Sequence, residues 1–379
     1  MGRARQGRYA LDQSPLYKVT SKRKLAALLQ VSVRDLQFLA SLSDNYRAWT
    51  LPQKRQEVLA GMPAKKPRSI QQPKPLLDAV HRRISALLSR IQKPGFVYSA
   101  TKGLDYVDNA RQHMNAHRGV KVDIKDFYPS VRSRLVRTFF EEVMRCAPDV
   151  ARLLTRICCA GDVLPTGSSV SPLLSYFACS RMFARIAAMA ERKGMVFTLY
   201  VDDMMFSGEE ATRQFASEVV RELAAYGFVG HKISYFPPGS VKVVTGVAVW
   251  HDRVSLPRRR YRKMRVFRSA LDREKSYENA QLLAGTLMGQ YREAERLHPG
   301  SRAHASVIQA RLELMRAKMF GPLTAVPAAK VKKAKRPIAL NRAQKSFLQL
   351  RERLATVTDV SVTPVFAASQ AEATCSASA

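Results

Sequence analysis

Acidic residues are scarce in this sequence. Thirty Asp and Glu stand against 63 Lys and Arg, a formal net charge of +33 at pH 7. A chain so short of anions repels itself and seeks polyanions, which makes nucleic acid the leading partner class. Cysteine is sparse too. Cys146, Cys158, Cys159, Cys179 and Cys375 form no CxxC pair and are odd in number, which points to reduced thiols in a cytoplasmic setting rather than a disulfide framework. No zinc-ligand spacing occurs, and no Ser or Cys nucleophile has an evident triad. Long apolar runs are missing as well. The longest apolar helix candidate, Leu173 to Ala190, is interrupted by Arg181 and Arg185, so no membrane span is expected. The opening MGRARQGRYA is basic but has no apolar signal-peptide core. Gln6 stands where a myristoylation motif beginning at Gly2 places Ser or Thr. No amphipathic anchor and no internal repeat are visible, and no membrane partner is expected.

What is present suits a globular protein of two or three domains: 379 residues, 46% of them hydrophobic. Thr20 to Ala40 reads as helices, with Ser21 as a cap and Leu25, Leu28, Leu29, Leu36 and Leu39 at helical spacing. Gly61 to Pro75 reads as a basic, proline-broken connector. Leu76 to Ile91 returns to a helical stripe. In "GVKVDIKDFYPSV", Val120, Val122 and Ile124 face one way and Lys121, Asp123 and Lys125 the other, a half-buried strand that Pro129 ends. Helices are expected over Leu135 to Cys146 and Val150 to Cys159. Another is expected from the N-cap pair Ser171 and Pro172 to Gly194, and another over Ala211 to Tyr226. Val196 to Tyr200 and Met204 to Phe206 read as short strands, with Val201, Asp202 and Asp203 at a hairpin tip. Val241 to Trp250 is strand-like. A cationic helix begins after Leu256, and helical patterns run to Met319. A basic linker is expected at Lys330 to Pro337, one more helix at Lys345 to Ala355, and a disordered Ala, Ser and Thr-rich end.

The acids cluster where burial is greatest. An isolated Asp-Asp pair is ordinarily an exposed turn. Asp202 and Asp203 instead sit between two apolar strands, and Asp123 lies on the polar side of a third. Three carboxylates on one sheet surface repel each other unless cations lie between them. Hard oxygen donors select Mg²⁺, and two such ions can activate a 3′-hydroxyl and stabilise a departing pyrophosphate.

The motifs carrying these acids resemble a family. "YVDD" between apolar strands resembles the catalytic hairpin of reverse transcriptases, "VKVDIKDFYPSV" their first palm motif, and "LPTGSSVSPLLSYF" their LPQGxxxSP motif, in the family's order. The resemblance covers roughly Leu25 to Met319. Within that family it is nearest to the bacterial retron enzymes. "NARQH" at Asn109 to His113, "VVTGV" at Val243 to Val247 and "PRSIQQP" at Pro67 to Pro73 are similar to their NAxxH, VTG and RxIxxP elements.

The resemblance implies an α+β right-hand polymerase with N-terminal helices and a flexible C-terminal tail. N-terminal helices would occupy 1–60, interleaved fingers and palm 61–250, a helical thumb 251–320, and a basic linker and tail 321–379. Asp123 and Asp202 would hold metal with Asp203 as companion, and Ile124 would lend a backbone carbonyl. Tyr128 would stand beneath the sugar 2′ carbon and favour dNTPs. Lys66 and Arg68 would hold the triphosphate, Thr166 and Gly167 the nucleotide and template, and Lys232 the pyrophosphate. Thr166 departs from the family's Gln. Asn109, His113, Thr245 and Gly246 would recognise RNA. The residues alone also allow His113 as a helix residue satisfied by a backbone carbonyl, and Thr245 with Gly246 as a strand bulge. Arg258, Arg259, Arg260, Arg262, Lys263, Arg265 and Arg268 would track phosphates rather than form a solvated face.

The implied reaction copies a structured RNA into DNA from a guanosine 2′-hydroxyl, giving a branched RNA–DNA product in anti-phage defence. The implied partners are two Mg²⁺ ions, dNTPs, the RNA and a separately encoded effector protein. An intron-type or diversity-generating reverse transcriptase shares the aspartates, and a retired RNA-binding scaffold would not need them.

Overall fold

The alternation of Val120, Val122 and Ile124 with Lys121 and Asp123 produces a strand at the middle of the sheet that carries the acids. The structure is a computed structural model that describes residues 9–64 and 66–321. The sequence expectations for 330–337, 345–355, the C-terminal end, Cys375, Gly2 and Gln6 lie outside the described residues. The described residues are 51% helical and 16% strand, an α+β composition. It divides into two units that are not contiguous in sequence. Among the described residues, one contains 9–49 and 69–253, and the other 50–64, 66–68 and 254–321.

Strands β1 (Tyr46–Leu51) and β2 (Arg68–Pro73) form a two-stranded ribbon. Gly61 to Pro75 is therefore not connector throughout. The residue before a proline avoids the helical region, which favours extended chain at Gln72, and the β2 backbone is bonded further on, as described below. The main sheet has the order β4 (Val196–Tyr200), β5 (Asp203–Ser207), β3 (Gly119–Ile124), β6 (Gly230–Phe236), every neighbour antiparallel. One face packs on helices. Phe197 and Phe206 stack at 4.8 Å between centroids, and Phe215, from the helix Arg213–Ala225, meets Phe206 edge-on at 5.1 Å. Such pairs add to the area burial that drives this core. The N-terminal helices Lys22–Leu29 and Val33–Ser41 join the same core through Leu25, Leu29, Leu36 and Leu39. Ser21 and Ser32 cap them, accepting from the Lys24 and Asp35 N–H groups.

Three expected elements differ. The helix expected from Ser171 to Gly194 breaks at Cys179 into Ser171–Ala178 and Ser180–Arg192. The elbow lets Tyr176 stack on Phe183 and Phe177 on Phe139, a gain that continuous apolar periodicity does not reveal. Ser171 is the first helical residue rather than the cap, and its hydroxyl donates to the Pro165 carbonyl. The helix expected over Leu135 to Cys146 is a short helix, Ser133–Thr138, followed by a wider turn over Phe139–Val143 that buries both phenylalanines. Val241 to Trp250 is a hairpin of β7 (Lys242–Val244) and β8 (Val247–Val249).

The second unit packs the helix Arg55–Leu59 and the three helices Arg258–Arg273, Tyr277–Ala294 and Ser301–Phe320. Its core gathers Ala60, Met264, Phe267, Leu283, Leu287 and Ile308. Among the described residues no helix is long and apolar enough to cross a membrane.

Candidate active site

Register brings the acids together. Asp123 and Asp203 are direct cross-strand partners, and Tyr200 pairs with Asp203 from the other side. Val201 and Asp202 therefore fill a two-residue turn, and Asp203 begins β5 instead of sitting at the tip. Val201 takes a φ of +62°, a strained choice for a β-branched residue that suits a tight hairpin. The Ile124 N–H donates to the Asp202 carbonyl at 3.2 Å and ties the turn to β3.

Crowding and burial act on protonation here. Asp202 is pushed up to about 8 by burial first and then by Asp123 and Asp203. Burial and Asp203 also raise Asp123. Lys121 Nζ lies 2.9 Å from Asp203 Oδ2, with the two side chains 12% and 17% exposed. Burial pulls the Lys121 ammonium down, but Asp203, Asp123 and Asp202 together outweigh it, Asp203 most of all, and the net shift is upward. Asp203 Oδ1 is buried without a hydrogen-bond partner among the described residues. From β6, His231 faces Asp123 across the register, with Nδ1 3.6 Å from Oδ2. The register then slips by one residue, and Lys232 takes a φ of +47°, a bulge in the edge strand. The Lys232 charge still reaches Asp123. Tyr128 is half-buried, and its phenol is raised by burial and then by Asp202 and Tyr200, which places it beside the turn. No group of three or more His, Cys, Asp or Glu closes into a ready-made metal centre among the described residues. The donor set is nevertheless hard oxygen, and the partnerless Asp203 oxygen suits a cation.

Comparison with known proteins agrees with this geometry. No family model matches the chain. The chain is 27% identical to the retron Ec86 reverse transcriptase of Escherichia coli over 245 residues, 62% of this chain and 73% of that protein. It is 28% identical to the retron Mx162 reverse transcriptase of Myxococcus xanthus, over 62% of this chain and 54% of that one. It is 27% identical to the retron Ec48 reverse transcriptase of Escherichia coli, over 68% and 65%. The chain is a relative of the retron reverse transcriptases.

In this retron relative the LPTG loop is joined to β2. The Thr166 hydroxyl donates to the Ser69 carbonyl at 2.9 Å and accepts from the Gln71 N–H at 3.2 Å. The Gly167 N–H donates to the Gln71 carbonyl at 3.1 Å. A Cβ on Gly167 would stand 2.9 Å from that carbonyl and from Ile70, so the strand itself already requires glycine. The change from Gln to Thr thus places a short hydroxyl where backbone groups are to be satisfied. Behind the loop, His81 is fully buried, with Nδ1 2.6 Å from Ser168 Oγ and Nε2 2.8 Å from the Ile157 carbonyl. Burial holds His81 down to about 4, against the raising effects of Ile157 and Asp78.

The NAxxH and VTG residues come together in the interior, at the other end of the acid-bearing face. His113 is fully buried, with Nδ1 2.7 Å from Ser207 Oγ on β5 and Nε2 2.7 Å from Thr198 Oγ1 on β4. Burial, and then the Lys242 charge, push it down to about 3, so the ring is neutral and one nitrogen donates while the other accepts. Its partners are hydroxyls rather than the backbone carbonyl that a lone helical histidine suggests. Thr245 and Gly246 form the two-residue turn between β7 and β8 at φ +46° and +78°, a turn and not a bulge. The Thr245 hydroxyl donates to the Tyr106 carbonyl at 2.9 Å, and the Asn109 amide donates to that hydroxyl at 3.4 Å.

The second unit carries the expected phosphate-tracking cations. Arg258, Arg259, Arg262 and Arg265 are exposed. Arg260 is paired with Glu293 at 2.6 Å and Lys263 with Glu57 at 3.5 Å, so these two also hold their own unit together, and Arg268 is paired within its own helix with Asp272 at 3.5 Å. Lys66 and Arg68 are exposed, just before β2 and at its start. Sequence reasoning gave no role to His231, His81 or the Lys121 ion pair. The available signals were a polar residue inside the apolar stripe of Leu77, Val80 and Ile84, and a lysine two residues before Asp123 on the same strand face.

Proposed function

We propose that this chain is an RNA-directed DNA polymerase of the retron kind, with fingers, palm and thumb. The observation that carries the reading is the direct pairing of Asp123 with Asp203 beside the Asp202 turn, supported by the retron reverse transcriptase relatives. The chain spans about half to about three quarters of the length of those relatives. Two bound Mg²⁺ ions would lower the pKa of the primer hydroxyl and neutralise charge developing on the pyrophosphate. Asp123 and Asp202 would hold them, with the Ile124 carbonyl beside them and Asp203 as companion. Tyr128 would exclude a 2′-hydroxyl from the sugar pocket. Lys66 and Arg68 would bind the triphosphate, Thr166 and Gly167 would shape the floor beneath the base, and Lys232 would meet the pyrophosphate.

The template and primer would be one structured RNA, with a guanosine 2′-hydroxyl as the starting nucleophile and a branched RNA–DNA as product. A 2′-hydroxyl can attack an α-phosphate if the RNA is held in line. Exposed Arg258, Arg259, Arg262 and Arg265 would hold RNA phosphates, with Arg260 and Lys263 alongside. Asn109, His113 and Thr245 would set the turn through which Gly246 meets RNA. The setting is cytoplasmic anti-phage defence with a separate effector protein.

Extension of a primer on an RNA template, wild type against Asp202→Asn, tests the reaction. The variant should lose about a thousandfold or more in rate and still bind RNA; a normal rate overturns the site. DNA recovered from cells should carry an RNA remnant that a 2′–5′ debranching enzyme releases. DNA with a free 5′ phosphate leaves the polymerase standing and removes the retron assignment.

A further inference from the structure

We propose that Lys121 is a resident counter-ion of the acidic cluster, tethering Asp203 so that Asp123 and Asp202 are left as the pair that grips divalent metal. This inference rests on the polymerase reading above. Lys121 and Asp123 share a strand face, so both side chains leave β3 on the same side. The register sets Lys121 opposite Met205 and Asp123 opposite Asp203, which makes Asp203 the diagonal neighbour of Lys121. The Nζ–Oδ2 separation of 2.9 Å is that of a charge-assisted hydrogen bond. A lysine so deeply covered is uncommon, and leaving it unpaired is costly. Lys125, just past the end of β3, is exposed, whereas Lys121 inside the strand is covered, and contact with Asp203 accounts for that burial.

The three acids are not equivalent as a result. Asp203 gives one oxygen to a fixed cation, and its other oxygen is buried without a hydrogen-bond partner among the described residues. Asp123 has His231 at 3.6 Å, at the edge of the sheet, and feels the Lys121 charge and then the Lys232 charge without an ion-pair contact to either. Tyr128 and Tyr200 stand near Asp202. Before metal arrives, the crowded acids are met by one built-in positive charge, which keeps β3 and β5 from being forced apart. When metal arrives, the same lysine repels it and weakens its hold. Lys121 is thus a positioning residue acting through Asp203.

The test is direct binding of Mn²⁺ to the full chain without RNA, followed by paramagnetic resonance, together with melting in chelator. Lys121→Met should bind Mn²⁺ about tenfold more tightly, as expected for removing one nearby positive charge at the modest dielectric of a partly covered site. It should also melt lower in chelator, with Mn²⁺ restoring most of the loss. Lys121→Arg should remain close to wild type, and Lys125→Met should change neither reading. The double variant Lys121→Met with Asp203→Asn decides the matter even where the single variant does not fold. It should fold and bind Mn²⁺ as wild type does, because charge and countercharge leave together. Unchanged or weaker Mn²⁺ binding in a folded Lys121→Met overturns the proposal. So does a double variant that fails to fold or loses Mn²⁺, since Asp203 would then be a principal ligand. Wild type that binds Mn²⁺ but extends no primer overturns the polymerase reading and leaves this comparison intact.

Discussion

The two ends of one sheet face solve opposite problems. At the Asp123 and Asp203 end the groups are charged, half-covered and incompletely partnered. At the Ser207 and Thr198 end, further along β5 and β4, the His113 ring and the two hydroxyls are neutral and buried, and both nitrogens of His113 are in use. The difference teaches where a sheet can carry charge. Crowded acids are tolerated where a counter-ion is built in or can arrive, and neutral polar groups can be buried fully where they complete their hydrogen bonds internally. On the proposed reading the open end serves the reaction, while the closed end ties β4 to β5 through His113.

Substitutions at the two ends should therefore fail differently. Asp123→Asn should cost about a thousandfold or more in primer extension and leave the melting temperature in chelator unchanged or raised, because one member of a repelling set is gone. A matching fall in melting temperature would show that the acids are structural. His113→Leu should do the reverse. It strands the Ser207 and Thr198 hydroxyls in the interior, which costs about 1–3 kcal/mol for each group. Denaturant unfolding should read that loss, while kcat per folded molecule at low temperature stays within about tenfold.

The open end was the more legible one in the sequence, because acids inside apolar strands break the expectation for a core and so announce a purpose. The closed end was half legible. The signatures at Asn109, His113, Thr245 and Gly246 were visible, but their joint burial was not, because His113 finds its partners 85 and 94 residues later in the chain. Lys121 was read only as part of a polar strand face, for the same reason. Its partner lies on β5, and no local pattern records a diagonal contact. β2 was hidden by its flanking prolines, and the elbow at Cys179 by apolar periodicity that runs through it without a break. The helices of the second unit were readable from spacing alone, whereas the pairing of Arg260 with Glu293 and of Lys263 with Glu57 was not.

Acidity sharpens the contrast. His113 is held at about 3 in the fold, against about 6.5 in an unfolded chain. Below pH 6.5 the unfolded state binds the extra proton, so this contribution to stability is full above pH 6.5 and is lost as pH falls towards 3. Asp202 has the opposite sign. Its folded value of about 8 lies above the ordinary 3.8, so without metal, stability falls as pH rises from about 4 to 8. Each group moves the unfolding free energy by about 1.4 kcal/mol per pH unit inside its window. Between about pH 4 and 6.5 the two slopes cancel, so chelator-treated protein should be most stable across that plateau and lose stability on either side of it. Divalent ions should abolish the alkaline limb and leave the acid limb, and His113→Leu should flatten the acid limb. An alkaline limb unaffected by metal would break the comparison.

The smallest effect concerns Tyr128 beside the turn. Tyr128→Val should raise ribonucleotide use relative to deoxynucleotide by about ten- to a hundredfold in kcat/KM, the range expected when a pocket gains room for one small group. An unchanged ratio would assign Tyr128 to packing and move it from the reacting end of the sheet to the supporting one.

The divided second unit has a consequence for the order in which the chain is made. Residues 50–64 and 66–68 emerge from the ribosome long before 254–321, yet Ala60 belongs to the same apolar cluster as Met264, Phe267 and Leu283. At about 5–20 residues per second, the early segment waits on the order of ten to forty seconds for the helices that bury it. Throughout that wait Leu59, Ala60 and Met62 have no core of their own, while the sheet-bearing unit is being completed around them in sequence. The second unit can close only after the strands that carry the acids have been made, so the acidic sheet has the chance to pair before the cationic helices exist.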